Sequence, residues 1–258
     1  MSVAIITGAS SGIGREFAKQ LRDDFGISEF WFVARREERM QRLAEELSVK
    51  AKILALDLST SEGLSALEKE LLQNKPKVSY LVNAAGFGKF GGCGDIASSD
   101  VENMINLNVR ALVRITEMTL PYIEKGGRII QLGSASAFTP LPYFNVYAST
   151  KAFVVHYTKA LNYEIKHLGI RATCLCPCWV DTEFIGCAKE GDECGPKKFK
   201  PLLSAPYVVR RCLKKAKRGR TLCVVNWFTK LQHVLYKLVP TGVMSRIWLK
   251  MIKVSKGD

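Results

Sequence analysis

The chain has 258 residues, 47 % of them hydrophobic, enough to bury one sizeable core and too apolar for a disordered polymer. Its formal net charge of +14 is carried by one end: from Lys197 onward there are 16 Lys and Arg against a single acid, Asp258, while the first 196 residues are close to neutral. No uncharged apolar stretch is long enough to span a bilayer, and no repeat or low-complexity tract divides the chain.

In chain order, residues 3 to 7 form a short apolar run that reads as a buried parallel strand. It starts too early to leave room for a signal peptide, so a cytoplasmic protein is expected. Gly8-Ala9-Ser10-Ser11-Gly12-Ile13-Gly14 follows, then a helical pattern with Phe17, Ala18, Leu21 and Phe25 on one face, closing at Gly26. Strand, glycine turn and helix start are in the order a dinucleotide site requires: glycines admit the pyrophosphate close to the backbone, and amides at the helix's positive end meet its charge. The spacing Gly-x-x-x-Gly-x-Gly is not the common Gly-x-Gly-x-x-Gly, so taken alone it reads equally as a flexible turn.

A second strand, 29 to 34, ends at Arg35 and Arg36, where an enzyme preferring NAD places an acid. A guanidinium binds the 2′-phosphate of NADP through paired charged hydrogen bonds, so NADP is favoured. Arg35 is the stronger candidate because it comes first, with Ser10 adding a hydroxyl; the plainer alternative is that both arginines begin the solvated face of a helix over 37 to 47. Further strands are expected near 51 to 57, 78 to 82, 127 to 133, 170 to 176 and 220 to 225, with helices between them. That alternation predicts a parallel sheet covered on both faces. Ser134 follows the 127 to 133 run, and Tyr147 and Lys151 stand four apart on a helix, which sets an ammonium beside a phenol. A nearby cation favours the phenolate, bringing the tyrosine toward the working pH where acid–base catalysis is efficient.

Thr7 to Gly14 (TGASSGIG), Asn83-Ala84-Ala85-Gly86, and the ordered set Asn108, Ser134, Tyr147 and Lys151 together resemble the short-chain dehydrogenase/reductase family, from about Val3 to about Val225. The resemblance implies an α/β fold, a Rossmann-type doubly wound parallel sheet of about seven strands over residues 1 to 225, followed by a C-terminal basic helical extension, 226 to 258. It implies a catalytic set in which Ser134 hydrogen-bonds the substrate oxygen, Tyr147 passes the proton, Lys151 lowers the tyrosine pKa and holds the nicotinamide ribose, and Asn108 anchors a water. It further implies cofactor contacts from Gly8, Ser10, Ser11, Gly12, Ile13, Gly14, Arg35, Arg36, Asp57 (to the adenine amino group), Leu58, Asn83, Ala84, Gly86, Tyr147, Lys151, Pro177, Val180 and Thr182. One departure stands out: Pro177-Cys178 occupies the place of the family's Pro-Gly, where a side chain would crowd or reshape the nicotinamide loop.

Cys174 and Cys176 alternate on one side of a strand as ordinary packing, and the cysteine spacings do not match zinc knuckles, so no metal is expected. Between Ser134 and Tyr147, Phe138, Leu141, Tyr143 and Phe144 form one candidate pocket wall; the topology of the family it resembles implies that Phe87 to Phe90, Trp179, Phe184 and the loop from 182 to about 204 form the other. Such walls suit an apolar ketone or secondary alcohol, such as a steroid, bile acid or fatty-acyl derivative. Beyond the last strand, Trp227, Phe228, Leu231, Val234, Leu235 and Leu238, then Val243, Met244, Ile247, Trp248, Met251 and Ile252, recur at helical spacing among lysines and arginines. These two basic amphipathic helices either pack on the body or a second subunit, roof the substrate crevice, or lie on an anionic membrane surface; nucleic acid is disfavoured because no recognition module accompanies the charge. The expected protein is an NADP(H)-dependent oxidoreductase, a homodimer or homotetramer by family resemblance. The alternative is a non-catalytic dinucleotide-binding regulatory or membrane-peripheral scaffold.

Overall fold

Seven parallel strands form the central sheet of the computed structural model, which describes residues 2–24, 26–189, 194–196 and 198–253. They are β1 (Ser2–Thr7), β2 (Ile27–Ala34), β3 (Ala51–Ala55), β4 (Val78–Asn83), β5 (Ile123–Leu132), β6 (Arg171–Cys176) and β7 (Leu222–Val224), in the spatial order β7-β6-β5-β4-β1-β2-β3. Rich in Val, Ile, Leu and Phe, the central strands are buried on both faces, as a parallel sheet requires. The chain runs outward from β1 through β2 to β3, then returns to place β4 on the other side of β1. That reversal opens a crevice at the carboxyl ends of β1 and β4.

Helices α1 (Gly12–Leu21), α2 (Glu37–Leu47) and α8 (Ala205–Lys217) cover one face, where Phe17, Leu21, Phe32, Met40, Leu43, Val208 and Cys212 share a core. Helices α3 (Ser61–Asn74), α5 (Leu112–Thr119) and α6 (Asn145–Ile165) cover the other with Leu67, Leu71, Ile115 and Leu161. The helical stretch expected between the strands near 78 to 82 and 127 to 133 is divided into α4 (Ser98–Ile105), a π-helical segment Asn106–Ala111, and then α5. Such a widened turn commonly marks a functional site, and here it carries Asn108. The first helix stops at Leu21 rather than near Gly26, and Phe25 lies outside the described residues. A short helix α7 (Phe184–Lys189) precedes α8, and α9 (Trp227–Leu238) and α10 (Thr241–Met251) follow β7. Among the described residues, no helix is long and apolar enough to cross a membrane, and no cluster of His, Cys, Asp and Glu suits a metal ion.

Candidate active site

The glycine turn is closed by backbone contact. Gly8 has φ +69° and a Cβ there would lie 2.9 Å from the Ala85 nitrogen; at Gly14 a Cβ would lie 2.3 Å from the Gly8 carbonyl oxygen. Thr7 Oγ1 accepts hydrogen bonds from the amides of Ala84 and Ala85, both at 3.1 Å, and so ties the turn to the end of β4. A cavity of about 450 Å³ opens where β1, β2, β4, β5 and β6 end. It is lined by Gly8, Ser10, Ser11, Gly12, Ile13 and Gly14, by Arg35, Arg36, Asp57 and Leu58, by Ala84 and Gly86, by Ser134, Tyr147 and Lys151, and by Pro177, Val180 and Thr182.

Each catalytic candidate is held by its own element. Ser134 caps a short 3-10 turn (Ala135–Phe138), its Oγ accepting from the Ser136 amide at 3.2 Å, and it lies close enough to the Tyr147 phenol to pull its pKa downward. Lys151 sits one helical turn beyond Tyr147, with its Nζ 5.6 Å from the phenol ring centroid and donating to the Leu132 carbonyl at 2.8 Å. Asn108 is fully buried; its Nδ2 donates to the Phe87 carbonyl (2.8 Å) and to Thr150 Oγ1 (3.1 Å), and its Oδ1 accepts from the Phe87 amide (3.1 Å). It stands behind the cavity rather than on its wall, clamping the segment after β4 to α6.

Burial dominates the electrostatics. Phe144 stacks on Tyr147 with centroids 4.5 Å apart, and Phe184 approaches to 5.3 Å. Desolvation raises the Tyr147 pKa above the ordinary phenol value, with the Ser134 hydroxyl acting weakly against it. This is opposite to the lowering expected from a Tyr–Lys pair, because burial of the phenol itself penalises the phenolate; Lys151 is buried too, and desolvation pushes it down to about 8, opposed by nearby Cys174 and Cys176. Those two thiols lie 3.6 Å apart, on the same side of β6.

Of the two arginines, Arg36 is the one docked against the turn. Its Nη2 donates to Ser11 Oγ at 2.8 Å and Ser10 Oγ at 3.3 Å, and its Nη1 to Glu183 at 2.8 Å. Arg39 and Arg36 together hold the Glu183 carboxylate below its ordinary range. Arg35, the first choice by position, projects into solvent at 77 % side-chain exposure with Asp57 3.9 Å away. Burial opposes ionisation of Asp57, but bonds from the Ser59 hydroxyl (2.6 Å) and amide (2.9 Å) outweigh it and keep the carboxyl below its usual value.

Two expected contacts fall elsewhere. Asn83 points away from the cavity, its Nδ2 donating to Thr116 Oγ1 at 3.1 Å in a buried network that also engages Gln131. Phe138 is taken up by α9, tilted against His233 with ring centroids 4.0 Å apart. Phe144, Trp179, Phe184, Leu141 and Phe87 do line the cavity, whereas Tyr143 does not. Cys178 also lines it, with its thiol donating to the Pro201 carbonyl at 3.4 Å; the departure from glycine thereby joins the Trp179–Asp181 strand loop to the chain before Leu202. Of the placements left open for the tail helices, α10 takes the crevice: Met244, Ile247, Trp248 and Met251 enter the lining, and Trp248 Nε1 donates to the Pro142 carbonyl at 2.7 Å. Their helical spacing was visible, but nothing in it said which surface they would meet.

The family model described as short chain dehydrogenase matches residues 2–192. A sulfoacetaldehyde reductase (2) of Chromohalobacter salexigens is 34 % identical over 197 residues, 74 % of this chain and 77 % of that protein. A very-long-chain 3-oxoacyl-CoA reductase (A) of Danio rerio is 28 % identical over 281 aligned positions, 98 % of this chain and 79 % of its own length. Among solved structures, a short-chain dehydrogenase from Sphingobium yanoikuyae in complex with NADPH superposes with a TM-score of 0.80 at 25 % identity, covering 100 % of this chain and 98 % of that one. Sequence, sheet order and the crevice at the β1/β4 reversal converge: the chain belongs to the short-chain dehydrogenase family, oxidoreductases that act on alcohol and carbonyl groups with a nicotinamide dinucleotide.

Proposed function

We propose that this protein reduces an apolar ketone to a secondary alcohol using NADPH. The observation that carries this reading is the set of half-buried Ser134 with buried Tyr147 and Lys151, opening onto walls of Phe144, Trp179, Phe184, Met244 and Trp248. Ser134 would hydrogen-bond the carbonyl oxygen and fix it against Tyr147. A phenol pushed above its ordinary pKa stays protonated at neutral pH, so Tyr147 is suited to give its proton to the oxygen as charge develops there. Lys151, charged below about pH 8, would stabilise the phenolate left behind. A nicotinamide bound in the crevice supplies the hydride. Asn108 would act as a positioning residue, holding the Phe87 backbone and Thr150 in place.

Residues of the chain fit the dinucleotide: backbone packed without room for a Cβ at Gly8 and Gly14, Asp57 and Leu58 for the adenosine end, and Thr182 with Val180 for the nicotinamide loop. Arg36, with Ser10 and Ser11, and Arg35 beside it favour a 2′-phosphate over the bare hydroxyl of NAD. An apolar substrate is supported by the aromatic and thioether lining; the relative named for very-long-chain 3-oxoacyl-CoA reduction aligns along almost the whole chain, tail included. Phe153 and Tyr163 on α6 and Ile105 on α4 are exposed and offer faces for a homodimer or homotetramer. The complete catalytic set disfavours a purely scaffolding role. NADPH oxidation across a panel of ketones tests the proposal: bulky apolar ketones should turn over, and Tyr147→Phe should lower the rate by about 10²- to 10⁴-fold. Turnover confined to small hydrophilic carbonyls, or unchanged by that substitution, would overturn it.

A further inference from the structure

Helix α9 presents its apolar stripe outward. Leu231, Val234, Leu235 and Leu238 recur at i, i+3, i+4 and i+7 and are 48 %, 52 %, 40 % and 76 % exposed, with Trp227 one turn earlier also on the surface. The face turned to the body is the polar one, where Thr229 is fully buried and His233 rests on Phe138. A helix docked on a globular core ordinarily does the reverse.

Helix α10 buries Trp248 against the body but also leaves apolar side chains outside. Ser245 and Trp248 fasten it to the Pro140 and Pro142 carbonyls, while Val243, Ile247 and Met251, spaced by four, remain nearly half exposed. Only Val239 and Pro240 separate the two helices, and both lean on the segment from Phe138 to Pro142, along the rim of the cavity that Met244, Ile247 and Met251 line. Exposed Lys230, Arg246 and Lys250 accompany the stripes, and the sequence has no Asp or Glu from 227 to 251.

We propose that α9 and α10 dock the protein on an anionic lipid bilayer, with the apolar stripes entering the interface and the cations pairing with headgroups. Apolar exposure alone fits several occupants; the uniform positive charge selects a surface both apolar and anionic. A second copy of the same face would set cation against cation. The inference rests on this surface and not on the reaction assigned to the cavity.

The test is co-sedimentation of the full chain with vesicles of phosphatidylcholine alone and of phosphatidylcholine with phosphatidylglycerol, at low and high salt. Two variants accompany it, Leu231→Ser with Leu238→Ser, and Lys230→Glu with Lys250→Glu, each checked for an unchanged melting transition. The protein should pellet with the anionic vesicles, and either variant or high salt should weaken binding about tenfold or more. The charge-reversal pair keeps the test decisive if the serine pair fails to fold. No pelleting, equal pelleting with neutral vesicles, or binding retained by both variants would overturn the proposal. So would self-association of the parent protein that the serine pair abolishes, which would assign the face to a second copy.

Discussion

The floor of the cavity, where Ser134, Tyr147 and Lys151 meet, and its roof, formed by α10, are held by different means. On the floor, the three residues are placed by the end of a strand buried on both faces and by the inner face of a long helix, and two of them are tied to backbone: the Ser134 hydroxyl accepts from the Ser136 amide and the Lys151 ammonium donates to the Leu132 carbonyl. On the roof, Trp248 and Ser245 reach back to two proline carbonyls, and much of the apolar surface faces out. The contrast separates two demands. Proton transfer needs groups fixed and dehydrated, at a cost in stability, whereas admitting a bulky substrate needs a wall that can be displaced.

Four substitutions sharpen that contrast, and the largest effect is expected on the floor. Lys151 carries a charge in a buried site, where its pKa falls from about 10.5 to about 8. That difference corresponds to roughly 3 kcal/mol of destabilisation when the group is charged. Lys151→Met should therefore raise the unfolding free energy at neutral pH by up to about that amount, reduced by the loss of the bond to Leu132, while abolishing activity. Between about pH 8 and the ordinary lysine value the unfolded chain binds the extra proton, so stability of the parent protein should climb with pH across that window and the variant should lack the climb. Denaturant titrations at several pH values without added nucleotide measure this; a variant less stable than its parent at neutral pH would show that the charge is not a burden.

Arg36→Ala acts at the edge of the floor and should raise KM for NADPH about 10- to 100-fold while leaving NADH nearly unaffected, as expected for removing a charged hydrogen-bonding partner. Arg35→Ala is the comparison that ranks the two guanidiniums, and a larger effect there would return priority to the residue nearer β2. The smallest effect belongs to the roof. Trp248→Phe keeps the ring but deletes the bond to the Pro142 carbonyl, with an expected loss of about 1 kcal/mol in stability and a KM change limited to large ketones. If small and large ketones suffer alike, α10 is acting on the floor and the division fails.

What was legible in the sequence was the part whose geometry is local. The glycine turn follows from one strand and one helix start, and Tyr147 and Lys151 are brought together by a single helical turn, so neither depends on distant packing. The central sheet follows from runs apolar throughout. Choices of face made by tertiary contacts were not legible. Asn83 turns to Thr116, Phe138 is claimed by His233, and Arg36 rather than Arg35 meets Ser10 and Ser11 because the backbone begins α2 there. The π segment at Asn106–Ala111 leaves no hydrophobic signature, since it only widens a helix already expected. The direction of the tyrosine pKa depends on how deeply both members of the pair are buried, which spacing cannot report.

The bond from Trp248 to Pro142 has one consequence for how kinship should be used. The match to the family model ends at residue 192, yet four side chains that line the chamber above Tyr147 come from beyond 240. Proteins alike through that portion can thus surround the same catalytic residues with different walls, so likeness up to residue 192 does not by itself assign a substrate.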